Sequence, residues 1–128
     1  MTFQSEQQVY RVLQAVFERL KENPKSTETF SHSNLVVRVR FTNPEAEVLF
    51  DGRQPPLELF YGPRPGDANL EMLLPTDLLH KIWLGEEKLT DALFHGQIKT
   101  KGNLLKASSF IELFRACEEI YPEVMRNS

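Results

Sequence analysis

The sequence predicts an α+β fold, in which helices cover one face of a five-stranded, mostly antiparallel sheet. Between residues 35 and 74, four short segments alternate apolar and polar residues with the two-residue period of a strand, and turn residues separate them. Segments on either side of that region repeat apolar residues every three or four positions, as amphipathic helices do. A sheet with one apolar face needs a covering layer, and these helices are the only candidates.

The first helix is predicted over residues 6–22. Its apolar face is formed by Val9, Val12, Leu13, Val16, Phe17 and Leu20. Ser5 and Gln8 can form a capping box at its start, and Asn23-Pro24 ends it. The polar segment that follows, residues 25–33, is expected to be a loop.

Four strands come next, predicted at residues 35–41, 46–51, 57–61 and 68–74. Alternate apolar residues give them an inward face, which includes Leu35, Val37, Val39, Phe41, Ala46, Val48, Phe50, Leu70, Met72 and Leu74. The turn at residues 42–45 and the prolines that precede Leu57 separate the strands, because proline donates no backbone hydrogen bond to a sheet.

The second half of the chain returns to helices around one more strand. Its elements are expected in this order: a helix from Thr76 to Gly85, a short helix over residues 89–94, a strand between Gly96 and Gly102, and a helix over residues 104–121. Thr76 is expected to cap the first of these helices, and Pro122 to close the last.

Composition and charge exclude several classes of protein. A chain of 128 residues fits one domain over residues 1–128, and 41% hydrophobic with 26% charged residues is ordinary for a globular cytoplasmic protein. The net charge of −3 argues against a nucleic-acid partner. Cys117 is the one cysteine, so we expect a buried thiol and neither a disulfide nor a cysteine zinc site. No run reaches the ~20 apolar residues of a membrane span, and no leader opens the chain.

The most distinctive stretch is Phe94-His95-Gly96-Gln97-Ile98-Lys99-Thr100-Lys101-Gly102-Asn103, a strand held between two glycines. Together with the two apolar helices before it, this stretch resembles the sterol carrier protein 2 family of lipid-binding domains. In that family a similar segment, phenylalanine, any residue, Gly-Lys-Ile-Lys-Ile-x-Gly, follows an amphipathic helix at this spacing. The matching part covers residues 77–103 and departs from the pattern at Gln97, where the family often has lysine, and at Thr100, where an aliphatic residue is usual.

The resemblance implies an apolar tunnel between helices and sheet that binds a lipid for transfer or presentation, without catalysis or cofactor. The ligand would be a fatty acid, acyl-CoA, phospholipid, isoprenoid or sterol, and transient contact with a membrane is compatible with this role. The residues expected to line the site are Met72, Leu79, Ile82, Trp83, Leu93, Phe94, His95, Ile98, Leu105, Phe110 and Phe114. The competing interpretation of the apolar stripes is an ordinary core without a ligand.

Catalytic and metal-binding patterns are missing from the sequence. His32, His80 and His95 have no partner at a recognised metal-ligand spacing, and no serine lies in a Gly-x-Ser-x-Gly elbow. His80 is expected to face solvent or cap a carbonyl. His95 either offers a hydrogen bond to a lipid headgroup or interacts with the dipole of the preceding helix. We therefore predict no enzymatic activity and no metal.

Two alternatives to lipid transfer stay open. The chain can be an accessory or scaffold protein that holds a lipid-like intermediate for a biosynthetic complex, for example in a quinone pathway. It can also be the substrate-holding domain of an enzyme. A stable heteromeric partner would favour the first alternative, and a nucleophile–base pair brought together by the fold would favour the second.

Overall fold

The computed structural model describes residues 2–127 and has the α+β architecture that the sequence predicts. Its elements, in chain order, are α1 (Glu6–Lys21), α2 (Pro24–Ser31), β1 (Leu35–Thr42), β2 (Ala46–Gly52), β3 (Glu58–Tyr61), β4 (Leu70–Pro75), α3 (Thr76–Trp83), α4 (Leu89–Phe94), β5 (Lys99–Gly102) and α5 (Ser108–Arg126). A single 3₁₀ turn, Leu104–Lys106, joins β5 to α5.

The five strands form one sheet in the order β3-β2-β1-β4-β5. Strands β1 and β4 pair in parallel, and the other three pairs are antiparallel, which confirms the mostly antiparallel sheet. In the centre of the sheet Val39 on β1 lies opposite Val48 on β2 and Met72 on β4. These three side chains are buried on the inner face, and the order of the strands leaves β3 and β5 at the two edges.

The helices cover the inner face, and α5 is the central member of their layer. It lies against α1, α2 and α3, while α1 and α2 also contact β2 and α3 contacts β4. The apolar face predicted for α1 is buried in full. Its cap also forms as predicted, because the backbone N–H of Gln8 donates to Ser5 Oγ at 3.2 Å. The Gln8 side chain departs from a capping box by accepting from the N–H of Gln4.

The chain between β3 and β4 crosses the outer face of the sheet. These strands lie on opposite sides of β2 and β1, so the connecting segment, residues 62–69, has to cross the sheet. Arg38 on β1 holds it there by donating from Nη2 to the carbonyls of Arg64 and Gly66, each at 2.8 Å. Its guanidinium also lies 3.3 Å from a carboxylate oxygen of Glu47 and 3.5 Å from one of Glu71. Arg38 is only 6% exposed, so its charge is neutralised inside the structure.

The prediction of a loop at residues 25–33 is wrong, because most of this segment forms α2. Pro24 stands in its first turn, where a missing backbone N–H costs nothing. The segment has only one large apolar residue, Phe30, so it lacks the apolar repeat from which helices are predicted. That ring is buried with its centroid 5.7 Å from the ring of Phe110 on α5. Tertiary packing therefore stabilises α2.

Two helix ends in the second half also differ from expectation. Pro122 does not close α5, which continues to Arg126 because Tyr121 and Val124 on either side of it are buried. Thr76 does not cap α3; it is the first helical residue, after Pro75 at the N-cap position. The Thr76 hydroxyl donates instead to the carbonyl of Asn43, which ties α3 to the turn between β1 and β2.

The last helix also begins later than predicted. Residues 104–107 were expected to be helical, but Leu104–Lys106 form the 3₁₀ turn and α5 begins at Ser108. The side chain of Asn103 starts that turn by accepting from the N–H of Leu105. Between residues 2 and 127, the structure has no helix with the length and apolar character that crossing a bilayer requires.

Candidate functional site

The space between the sheet and the helices is filled by a continuous layer of aromatic rings. The ring centroids are 5.3 Å apart for Phe17 and Phe50, 5.1 Å for Phe50 and Phe110, and 5.9 Å for Phe110 and Phe114. The layer goes on through Trp83, 5.2 Å from Phe114. These tilted and edge-on contacts are the favoured geometries of aromatic pairs. The chain's many phenylalanines thus form an apolar interior that crosses the molecule.

Helix α3 brings Leu79, Ile82 and Trp83 into this layer. The helix follows β4 without a loop, so its three-and-four spacing turns these residues toward the inner face of the sheet. All three are buried, and Trp83 is 1% exposed. Its Nε1 has no hydrogen-bond partner within the described residues, and neither has the buried Oγ of Ser109. A ligand oxygen that reached Trp83 Nε1 would therefore gain a hydrogen bond that the protein does not supply.

His80 does not face solvent or cap a carbonyl, as the sequence suggested. Its Nδ1 lies 2.7 Å from the hydroxyl oxygen of Tyr121 on α5, and the ring of Phe3 packs edge-on against it, with centroids 6.4 Å apart. Tyr121 in turn contacts Trp83, with centroids 5.3 Å apart. Burial raises the pKa of Tyr121. The His80–Tyr121 pair therefore closes the aromatic layer at the end nearest the N-terminus.

Three large apolar side chains lie on the surface beside β5, and we call Phe94, Leu104 and Leu105 the apolar rim. Phe94 is 93% exposed, Leu105 94% and Leu104 38%, and they are the exposed large hydrophobic residues among residues 2–127. Phe94 is the last residue of α4, and the two leucines belong to the 3₁₀ turn. Along the chain, the rim residues thus lie before and after the edge strand.

An apolar cleft enters the structure beside that 3₁₀ turn. Its volume is about 130 Å³, and it is lined by Leu35, Val37, Leu70 and Ala107, with Asn69, Asn103 and Lys106 as polar neighbours. Pockets that hold a small ligand usually measure about 300–1,000 Å³. The cleft is too small for a long acyl chain in this conformation. A lipid would have to move the 3₁₀ turn or neighbouring helices away from the sheet.

The structure divides the expected lining residues into two groups. Met72, Leu79, Ile82, Trp83, Ile98, Phe110 and Phe114 are buried between sheet and helices, Leu93 is half-buried, and Phe94, His95 and Leu105 are exposed. The buried group lies in one apolar layer, so the fold brings its members together. The exposed side chains lie outside that layer and are not core residues.

Residues that matter for this geometry also lie outside the expected set. Tyr121 and Ala107 belong to the predicted last helix but not to the residues expected to line the site. Leu35 and Leu70 were assigned to strands in the same way. Phe3 is 1% exposed, yet it precedes the first periodic segment and gives no signal in the sequence.

The described residues offer neither a metal-binding cluster nor a reactive cysteine. Residues 2–127 contain no cluster of three or more His, Cys, Asp or Glu side chains suited to a metal ion. Cys117 is buried as expected, and its Sγ lies 3.5 Å from the carbonyl oxygen of Leu113. Burial raises the pKa of this thiol, so it stays protonated and unreactive at neutral pH.

Comparison of the sequence with known families gives one match over most of the chain. The model of the SCP-2 sterol transfer family matches residues 13–115. This range contains the aromatic layer from Phe17 to Phe114 and the whole sheet. No curated protein matches the sequence at a significant level.

Several solved structures share the fold at low sequence identity. Sterol carrier protein 2 from Yarrowia lipolytica, in its apo form, is 15% identical, with a TM-score of 0.65 over 92% of this chain and 98% of that one. A ubiquinone synthesis protein, UbiJ-SCP2, is 20% identical, with a TM-score of 0.57 over 78% of this chain and 82% of that one. The sec-alkylsulfatase Pisa1 from Pseudomonas sp. is also 20% identical, with a TM-score of 0.57; the similarity covers 68% of this chain and 14% of the enzyme.

Proposed function

Because this chain belongs to the SCP-2 sterol transfer family, we propose that it binds a lipid without catalysis, between its sheet and its helices, for transfer or presentation. The lipid class comprises fatty acids, acyl-CoA, phospholipids, isoprenoids and sterols. The observation that carries the proposal is the buried aromatic layer, in which Trp83 Nε1 has no partner within the described residues. A long apolar chain would be held there by the area it removes from water, about 25 cal/mol per Å².

The sheet and the helices pack closely together, so a ligand needs a place to enter between them. The cleft beside the 3₁₀ turn is the apolar opening next to the sheet, and the turn is short and exposed. We expect ligand binding to select a conformation in which this turn lies further from the strands. Phe110 and Phe114, at the start of α5, would then face the acyl or ring system of the lipid.

The direct test is native mass spectrometry of the purified protein, followed by titration with a fluorescent long-chain fatty acid. We expect a co-purified lipid mass and saturation at one ligand per chain. The absence of saturable binding for fatty acid, isoprenoid and sterol probes alike would overturn the proposal.

Trp83 provides a second test, because it is the only tryptophan and lies in the aromatic layer. We expect added fatty acid to shift or quench its emission. Trp83→Phe removes Nε1–H and leaves a small cavity, so it should lower the melting temperature. It should also weaken the binding of ligands with a polar oxygen more than the binding of ligands without one. Emission that stays constant at saturating ligand would place the lipid elsewhere.

The second candidate is a scaffold that holds a lipid-like intermediate for a biosynthetic complex. The similarity to the ubiquinone synthesis protein UbiJ-SCP2 favours it, and a quinone precursor would suit the same aromatic layer. Affinity purification of the tagged chain from its own cells separates the two functions. Stoichiometric recovery of biosynthetic enzymes would support the scaffold, and recovery of the chain with lipid alone would support transfer.

A further inference from the structure

The lysines of β5 and of the turn after it form a local excess of positive charge in an acidic chain, whereas carboxylates lie on the α4 side, where Asp91 borders the same depression as His95. Residues 92–111 contain Lys99, Lys101 and Lys106 and no Asp or Glu, whereas the whole chain carries a net charge of −3. All three lysines are exposed. None has an ion-pair partner in the part of the chain that the structure describes. Glu71 lies opposite Lys101 in the sheet register, but its carboxylate is engaged by the two arginines of β1.

The same region carries the apolar rim. Phe94, five residues before β5, and Leu105, three residues after it, are each more than nine-tenths exposed, so no neighbouring side chain shields them. Isolated leucines on a protein surface are common. Two large apolar side chains that are almost fully exposed, one before and one after a strand with two lysines, are not explained by the packing of the domain.

We propose that the apolar rim and these three lysines dock the protein on the surface of an anionic phospholipid bilayer. The lysines would lie against the acidic headgroups, and Phe94 and Leu105 would insert at the boundary between headgroups and acyl chains. Opposite charge and the near-complete exposure of the apolar side chains favour a bilayer over an acidic protein. A fluid lipid surface needs no shaped pocket around the inserted residues, whereas a protein partner has to match their shape.

This inference rests on the proposed function and extends it, because the cleft opens beside the docking surface. Lys106 borders the cleft, and Leu105 precedes it in the 3₁₀ turn. Docking would therefore place the cleft opening at the bilayer, and the inserted Leu105 would pull the turn away from the sheet. The protein would load or release its lipid without exposing the acyl chain to water.

The test is co-sedimentation with vesicles of phosphatidylcholine and with vesicles of equal parts phosphatidylcholine and phosphatidylserine. We expect binding to the anionic vesicles that weakens as salt is raised, and little binding to the neutral ones. The triple variant Lys99→Gln, Lys101→Gln, Lys106→Gln should bind on the order of 100-fold more weakly, since each lysine near an anionic surface contributes about fivefold.

The control is a second triple variant, Lys21→Gln, Lys25→Gln, Lys81→Gln, which removes the same charge from exposed lysines elsewhere. It should retain most of the binding. The double variant Phe94→Ser, Leu105→Ser should lose binding at an unchanged melting temperature. Equal binding to both vesicle types, equal loss in the two lysine variants, or no vesicle binding at all would overturn the proposal.

Failure of docking is distinguishable from failure of lipid binding. Titration with fluorescent fatty acid in the absence of vesicles measures the ligand site alone. If docking is wrong but lipid is bound, that titration saturates as before while the vesicle assay stays negative. If the lipid site itself is wrong, the titration fails whatever the vesicles show.

Discussion

Phe94 and Phe114 show that two similar residues in the chain have opposite environments. Phe94 is 93% exposed at the end of α4, and Phe114 is 3% exposed in the aromatic layer. Phe94→Asp should therefore change the free energy of unfolding by no more than about 0.5 kcal/mol. Phe114→Asp should prevent stable folding, because a buried carboxylate without a partner is strongly disfavoured. Thermal melting monitored by circular dichroism compares them directly, and unfolding caused by Phe94→Asp would contradict its position on the surface.

Gly96 and Gly102 bracket the β5 strand and differ in what surrounds them. Both have positive φ, +74° and +116°, which residues with a Cβ rarely adopt. At Gly102 an added Cβ would also overlap the backbone carbonyl oxygen of Asn69, whereas at Gly96 it would meet nothing within 4 Å.

We therefore expect Gly96→Ala to cost about 1 kcal/mol and Gly102→Ala about 3 kcal/mol or more. Urea denaturation of the two variants beside the unchanged protein gives the comparison. Equal losses at the two positions would show that the contact with Asn69 is relieved at no cost.

At the scale of the elements, Arg38 joins the sheet to the segment that crosses it. Its guanidinium donates to two backbone carbonyls and faces two carboxylates, so its removal leaves buried acceptors without a donor. Arg38→Met should destabilise the protein by about 3–5 kcal/mol. Arg38→Lys keeps the charge but lacks the planar fork, and we expect it to recover less than half of the loss.

The matched control for Arg38 is Arg40→Met on the same strand. The Arg40 side chain is 55% exposed, and Arg38 still faces the carboxylates of Glu47 and Glu71 when Arg40 is removed. That substitution should cost no more than about 1 kcal/mol. Limited proteolysis should cut residues 62–69 in the Arg38→Met variant before it cuts them in the Arg40→Met variant. If both variants were cleaved at the same rate, Arg38 would not be the residue that holds this segment on the sheet.

At the scale of the whole molecule, the packing of the tyrosines makes the fold sensitive to alkali. Burial raises the pKa of Tyr61 to about 12, and burial with a hydrogen bond to Glu6 raises the pKa of Tyr10 to about 12. The pKa of Tyr121 is raised by burial as well. The chain has three tyrosines, so each of them resists ionisation in the folded state.

A raised folded-state pKa contributes stability that is complete below the unfolded pKa of about 10 and is lost as the pH rises toward the folded value. We expect the free energy of unfolding to fall between about pH 10 and pH 12. Absorbance of tyrosinate should rise together with the loss of secondary structure. Tyrosinate formation near pH 10 in a fully folded protein would contradict the burial of these rings.

The sequence by itself determined the elements whose signal is local. The period of the apolar residues predicts α1, the strands and the stripe of α3, and Gly85, Gly96 and Gly102 mark ends that need positive φ. The resemblance of residues 77–103 to a lipid-binding family was sufficient to identify the family. These features are readable because each depends on the properties of neighbours along the chain.

Tertiary structure alone decided the rest. Helix α2 depends on Phe30 packing against Phe110, and α5 passes Pro122 because both sides of the proline are buried. The exposure of Phe94 and Leu105 and the contact of His80 with Tyr121 are set by residues far away in the sequence. An apolar stripe predicts that a helix buries one face, but which of its residues lie beyond the edge of the partner surface depends on where that surface ends.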